Sequence, residues 1–382
     1  MGYMGKRRFD EIDVMRIIGF LMVVDQHILG SYAQRLETSF ADSMVLHFLY
    51  LLGRPAVPMF VAITGFTLFY ANYNRIHILE FYRKRLTTIV MPYLFWSLAS
   101  ILIFKKYDML NNLILVLATG NASYHLWYMT MSIRLYLWFP LILVMISWII
   151  RKTKITQKTV FVMFFISYWV LLKKNYYLIE QLAIFFFGTP SLLEKRLIQY
   201  SPIFWSIYFV CGVIVCLKYE FFKELALKYS KIILATYIPL VIYMFYTQIC
   251  NKLPEYYPRI AYEHFLYILY MIQTIAVVYI VSVKISRKAV RFKEQLSELG
   301  YLSYGAYLIH VIVLQKVAPI LRREIPLESY LASGIIIFAA TSLLSFVLCY
   351  IIRFLPFSEY VIGVKRVPIR SIKAESHYRI GM

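Results

Sequence analysis

Negative charge is scarce in this sequence. Its 20 Asp and Glu stand against 41 Lys and Arg, and charged residues of both signs make up only 16% of 382 positions. A soluble chain of that length needs far more polar surface, so a soluble enzyme is excluded. Cysteine is also rare. Cys211, Cys216, Cys250 and Cys349 lie in or at the ends of apolar stretches without metal-ligand spacing; they read as small apolar core residues, and no metal is expected. No basic domain stands apart from the apolar runs, so the net charge of +21 does not indicate nucleic acid. No internal repeat is evident, which removes the inverted-repeat signature of many secondary transporters. The first apolar segment lacks a small-residue cleavage site and is expected to be retained.

Apolar and aromatic residues are abundant: 61% of the chain is hydrophobic, with 34 Tyr and 28 Phe, which fits aromatic belts at membrane–water interfaces. Runs long enough to cross a bilayer predict ten spans, roughly 12–32, 46–71, 86–104, 124–149, 159–172, 202–218, 231–250, 263–284, 301–320 and 329–353. The semi-apolar stretch 176–188 reads as an interfacial or re-entrant helix, or as an eleventh span. The expected fold is all-α, a polytopic integral membrane helix bundle of about ten transmembrane helices. It comprises a basic N-terminal segment (1–11), a transmembrane domain (12–355) and a basic tail (356–382). Counted on alternate sides, 26 Lys and Arg fall with the two termini and 12 on the opposite side. The positive-inside rule therefore puts both termini in the cytoplasm.

The first apolar stretch, IDVMRIIGFLMVVDQHILGSY, carries Arg16 and His27. Their spacing on a helix puts both on one stripe, about 16 Å apart along the axis. Ionisable groups in a span face the bundle interior or a water-filled cavity and mark functional sites. Arg16 lies toward the cytoplasmic half; it is either neutralised by Asp13, one turn earlier, or holds an anionic ligand group. His27 lies toward the outer half, as a satisfied bundle residue or as a general base. Asp25 points away from that stripe and is expected to pair with an arginine of another span, Arg54 or Arg134.

The second span contains Gly53-Arg54-Pro55, where Pro55 and Pro58 kink or open the helix and Thr64-Gly65 permit close packing. Arg83, Lys84 and Arg85 cluster at the cytoplasmic mouth of the third span. They serve either lipid head groups or the phosphates of a nucleotide thioester. His125 and Trp127 open the fourth span, which also holds Arg134. His310 sits at mid-depth in the ninth, with Ser303 and Tyr307 at nearby helical positions.

Five pieces in order, IDVMRIIGFLMVVDQH, AVPMFVAITGF, FYRKRLTTIVMPYLFW, YHLWYMTMSIRLYLWFPL and LSYGAYLIH, resemble the membrane acyltransferase-3 family. The likeness runs from Ile12 to about Arg353. It implies movement of an acyl group, usually acetyl, from cytosolic acyl-CoA to an extracytoplasmic carbohydrate or related acceptor. By that likeness His27 matches the family's essential first-span histidine and Arg16 its paired basic residue. Arg85 matches the first arginine of its basic motif. Thr88 stands where that motif has a second arginine, leaving Arg83 or Lys84 to supply the charge, and Thr64-Gly65-Phe66 replaces a common serine-glycine-phenylalanine. The HLWYM form is similar to the branch of intercellular-adhesin-type polysaccharide modification proteins.

The resemblance implies acetyl-CoA or another acyl-CoA as donor substrate, a cell-surface glycan hydroxyl as acceptor, and a multi-pass place in a bacterial plasma membrane. Membrane lipids and glycan synthesis or export machinery are the implied partners. Arg16, Arg54, Arg83, Lys84 and Arg85 are then expected on the donor side. Asp13, Asp25, Thr64, His125, Trp127, Arg134, Ser303, Tyr307 and His310 are expected as acceptor-side or supporting residues. The competing reading is an exporter of polysaccharide or lipid-linked glycan, with the intramembrane Arg and His as pathway residues.

Overall fold

The computed structural model describes residues 8–248, 265–325 and 327–366. Helix accounts for 85% of it, and no strand occurs among the described residues, so the protein is an all-α bundle. That is the outcome expected where no water reaches the backbone and each amide must bond within its own segment. The helices are α1 (Asp10–Ala33), α2 (Phe40–Gly53), α3 (Ala56–Asn72), α4 (Ile78–Arg85), α5 (Met91–Ile103), α6 (Leu113–Thr119), α7 (Trp127–Ile150), α8 (Lys154–Lys173) and α9 (Asn175–Phe187). They continue with α10 (Leu192–Gln199), α11 (Ser206–Leu217), α12 (Tyr219–Lys228), α13 (Ser230–Gln248), α14 (Phe265–Lys288), α15 (Lys293–Glu324), α16 (Tyr330–Ile352) and α17 (Ser358–Ile362).

Among the described residues, eight helical stretches are long and apolar enough to cross a membrane, or nine if α10 and the segment Pro202–Leu217, bent by 43°, form one span. These coincide with nine of the ten expected stretches. The tenth, 12–32, is α1, which lies outside that set. Its place explains its polar content: α1 is the hub, packed against α2, α3, α14, α15 and α16. Of its 24 residues, 15 are buried, so it is surrounded rather than presented to lipid on one side. The stretch 176–188 forms α9, whose 13 residues are too few to span.

Breaks fall where the sequence removes donors. Arg54 and Pro55 separate α2 from α3, because Pro55 has no amide hydrogen to offer the preceding turn. Leu86–Val90 form a π-helical turn between α4 and α5, immediately before Met91-Pro92. Between α3 and α11 the backbones approach closely: a Cβ on Gly65 would run into the Phe209 carbonyl, and one on Gly212 into that of Ala62.

The ends of the helices group into two faces. At one end Lys293 pairs with Asp10, Lys223 with Glu11 and Arg353 with Glu298, and the Thr87 hydroxyl donates to Glu359. At the other end the Asp42 carboxylate accepts from the Ser329 hydroxyl and the Leu331 amide, and Lys106 donates to the Ala122 carbonyl. Cys211, Cys216 and Cys349 are free thiols, the last two buried. Cys250, residues 1–7 of the N-terminal segment and 367–382 of the tail lie outside the described residues.

Candidate active site

α1 brings its two notable residues to different neighbours. Near its N-terminal end Arg16 donates to Asp13 at 2.9 Å, and the same carboxylate takes Arg8 at 3.0 Å and the Ser297 hydroxyl at 3.4 Å. Asp13 is buried while Arg16 is about one-third exposed, so the guanidinium has open space on the side away from its partner. Three turns on, His27 is half-buried. Its ring stacks on His310 of α15, with centroids 5.4 Å apart and planes at 23°, and meets Tyr124 edge-on at 4.8 Å. His125 completes the group, 4.9 Å from His310 and 6.4 Å from His27.

The three imidazoles are not equivalent. His125 has both nitrogens engaged, Nδ1 with the Ser123 hydroxyl at 3.1 Å and Nε2 with the Leu308 carbonyl at 3.3 Å. A carbonyl only accepts, so Nε2 carries the proton and Nδ1 accepts from Ser123. His310 uses Nδ1 to donate to the Tyr307 carbonyl at 2.6 Å, and its Nε2 is buried with no hydrogen-bond partner. His27 makes no ion pair with a carboxylate among the described residues. These histidines do not form a metal-binding group, nor does any other cluster of His, Cys, Asp and Glu among the described residues.

The segment bearing His125 is a turn, where the sequence predicts a helix beginning at Tyr124. Gly120 has φ +71° and leaves no room for a Cβ against the Leu126 carbonyl, so the chain reverses there and α7 starts only at Trp127. In a helix Tyr124 and His125 would diverge by about 100°; in the turn both rings reach His27. Tyr307 fastens that turn to α15, its hydroxyl donating to the His125 carbonyl.

The remaining expected residues spread along the bundle. Arg54 sits at the α2–α3 break and donates to the hydroxyls of Tyr50 at 2.6 Å and Tyr267 at 3.4 Å. Asp25 is buried against Gly53, next to Arg54 in the chain. Neither expected pair forms: Asp25 makes no ion pair among the described residues, and Arg134 donates instead to the Leu197 and Ala118 carbonyls, both at 2.6 Å, tying α7 to α10 and α6. Those carbonyls lie in the last turns of short helices, which leave such acceptors unpaired.

Arg83 and Lys84 are exposed. The Arg85 guanidinium lies over the rings of Phe81 and Tyr136, at 5.1 and 5.2 Å, with its Nε buried and unpartnered. Thr88 donates to the Lys84 carbonyl, Thr64 to that of Phe60 and Ser303 to that of Gly300; these are helix back-bonds. Trp127 packs on Tyr200 and Trp205. Tyr124, Ser123 and Arg8 belong to these two constellations but were not singled out from the sequence. Their only signal is adjacency to His125 and to the first span.

The match to the model of an acyltransferase domain, Acyl_transf_3, covers residues 9–354. The chain belongs to the acyltransferase-3 family. It is therefore a membrane acyltransferase, and its hub helix and histidine cluster both fall inside the matched region. No curated protein and no solved structure matches the chain.

Proposed function

We propose that this acyltransferase moves an acetyl group from cytosolic acetyl-CoA to a hydroxyl of an extracytoplasmic glycan, with His27 as the general base. The observation that carries this reading is the half-buried His27 imidazole on the central helix. Among the described residues it has no carboxylate to neutralise it, and the half-exposed Tyr124 lies at its edge. In the reaction His27 takes the proton of the acceptor hydroxyl as the oxygen bonds to the thioester carbonyl carbon. The carbon–sulfur bond then breaks, and the thiolate leaves with a proton returned by the same imidazole. Arg16, nearer the basic face, holds an anionic part of the donor, and Arg83, Lys84 and Arg85 supply positive charge for its phosphates. Both termini face the cytoplasm in this arrangement, because 26 of the 41 basic residues lie on their side.

Replacing His27 by Ala tests the assignment. Glycan acetylation, read by mass spectrometry of the surface polysaccharide, is expected to fall by about 10²–10⁴-fold while the protein still inserts. Unchanged acetylation would refute the base, and loss of the exported glycan itself would favour a transporter.

A further inference from the structure

Catalytic histidines ordinarily have a third group behind them that orients the ring and supports the imidazolium, most often a carboxylate. His27 lacks one among the described residues. What stands behind it is His310. We propose that His310 is the positioning residue of the site, a neutral imidazole whose dipole supports the positive charge that develops on His27. This inference rests on the reading of His27 as the base.

Three observations fix the negative end of that dipole and its available basic neighbour. The Tyr307 carbonyl one turn earlier accepts from Nδ1 at 2.6 Å, so the proton of the neutral ring is on Nδ1. Nε2, with its lone pair, is then the negative end and is turned away from its own helix. It is fully buried and unpartnered, in a ring that is 0% exposed. The His310 ring lies among those of His27, His125, Tyr307 and Phe20, with His27 stacked on it. His125 has already committed both nitrogens to Ser123 and Leu308, which leaves His27 as the imidazole free to take a proton.

A buried lone pair without a donor is costly to keep, yet a packing role at this position would be met equally well by phenylalanine. A fixed dipole in a water-poor site stabilises charge that appears only during reaction, and it needs no reorganisation when that charge arrives. His310 does not touch the substrate: it is sealed in, and only His27 and Tyr124 reach the accessible side.

The test uses the full-length protein in glycan-bearing membranes with acetyl-CoA as the probe, reading kcat and KM from release of the free CoA thiol. His310→Phe keeps an aromatic ring to stack on His27 but carries no lone pair. It is expected to lower kcat about tenfold or more with the KM for acetyl-CoA within about twofold of the parent. His310→Asn keeps a donor for the Tyr307 carbonyl and removes the distal nitrogen; the same loss in kcat is expected, and this variant decides if the Phe variant does not fold. A kcat within about twofold of the parent in either folded variant would overturn the inference and make His310 a packing residue. His27→Ala is run beside them. If that variant stays active, the base assignment itself fails. If it is dead while His310→Phe is active, only the positioning role fails.

Discussion

The polar residues of α1 divide into a satisfied set and an open one. Asp13 is satisfied three times over, by Arg8, Arg16 and Ser297, and it is what makes a guanidinium tolerable inside an apolar helix. Asp13→Ala is expected to cost roughly 1–3 kcal/mol, the usual loss when a charged hydrogen-bonding partner is withdrawn, seen as a lower melting temperature of the detergent-solubilised protein. Arg16→Ala should behave in the opposite way, raising the KM for acetyl-CoA by about tenfold or more with little change in melting. Equal effects of both variants on KM would mean that Arg16 merely completes the ion pair. The sequence made this pair readable, because residues one turn apart on a helix must meet. It could not reveal Arg8 or Ser297, since both depend on how α15 lies against α1.

At the level of helices, the apolar runs located the long elements but not the short α4, α6, α10, α12 and α17, because length and hydropathy decide which segments enter a bilayer. They did not reveal that α1 would be enclosed by five other helices, a matter of packing rather than composition. Nor did they reveal that Tyr124 and His125 belong to a turn, since both residues are compatible with a helix and only the positive φ at Gly120 settles it. His27 and His310 were visible as intramembrane titratable groups, but their stacking depends on the register of α15 against α1. The α3–α11 contact gives a sharper test of packing. Gly212→Val would force the two backbones apart, at an expected cost of about 1–3 kcal/mol or more, measured as a lowered melting temperature. An unchanged melting temperature would show that these helices do not approach as closely as Gly65 and Gly212 suggest.

For the molecule as a whole, the pairing of helix ends defines two faces, and the charge asymmetry predicts which of them is cytoplasmic. Asp10, Glu11, Lys223, Lys293 and Arg353 meet at one face, and Asp42 and Ser329 at the other. Alkaline phosphatase inserted after Glu328 is therefore expected to be active, in the extracytoplasmic space, and the same reporter after Lys152 inactive. The reverse pattern would invert the donor and acceptor sides. In the proposed reaction the depth order of Arg16 and His27 sets the direction, with the donor's charge engaged near the basic face and the acceptor met toward the far one.

Tyr307 has the widest reach of any residue in the site. Its hydroxyl grips the His125 carbonyl and its own carbonyl holds the His310 imidazole, so two of the three rings hang from one residue while His27 belongs to another helix. The cluster is in effect built in two parts: α15 and the turn before α7 are tied together through Tyr307, and every contact of His27 with His310, His125 and Tyr124 crosses from α1 to that tied unit.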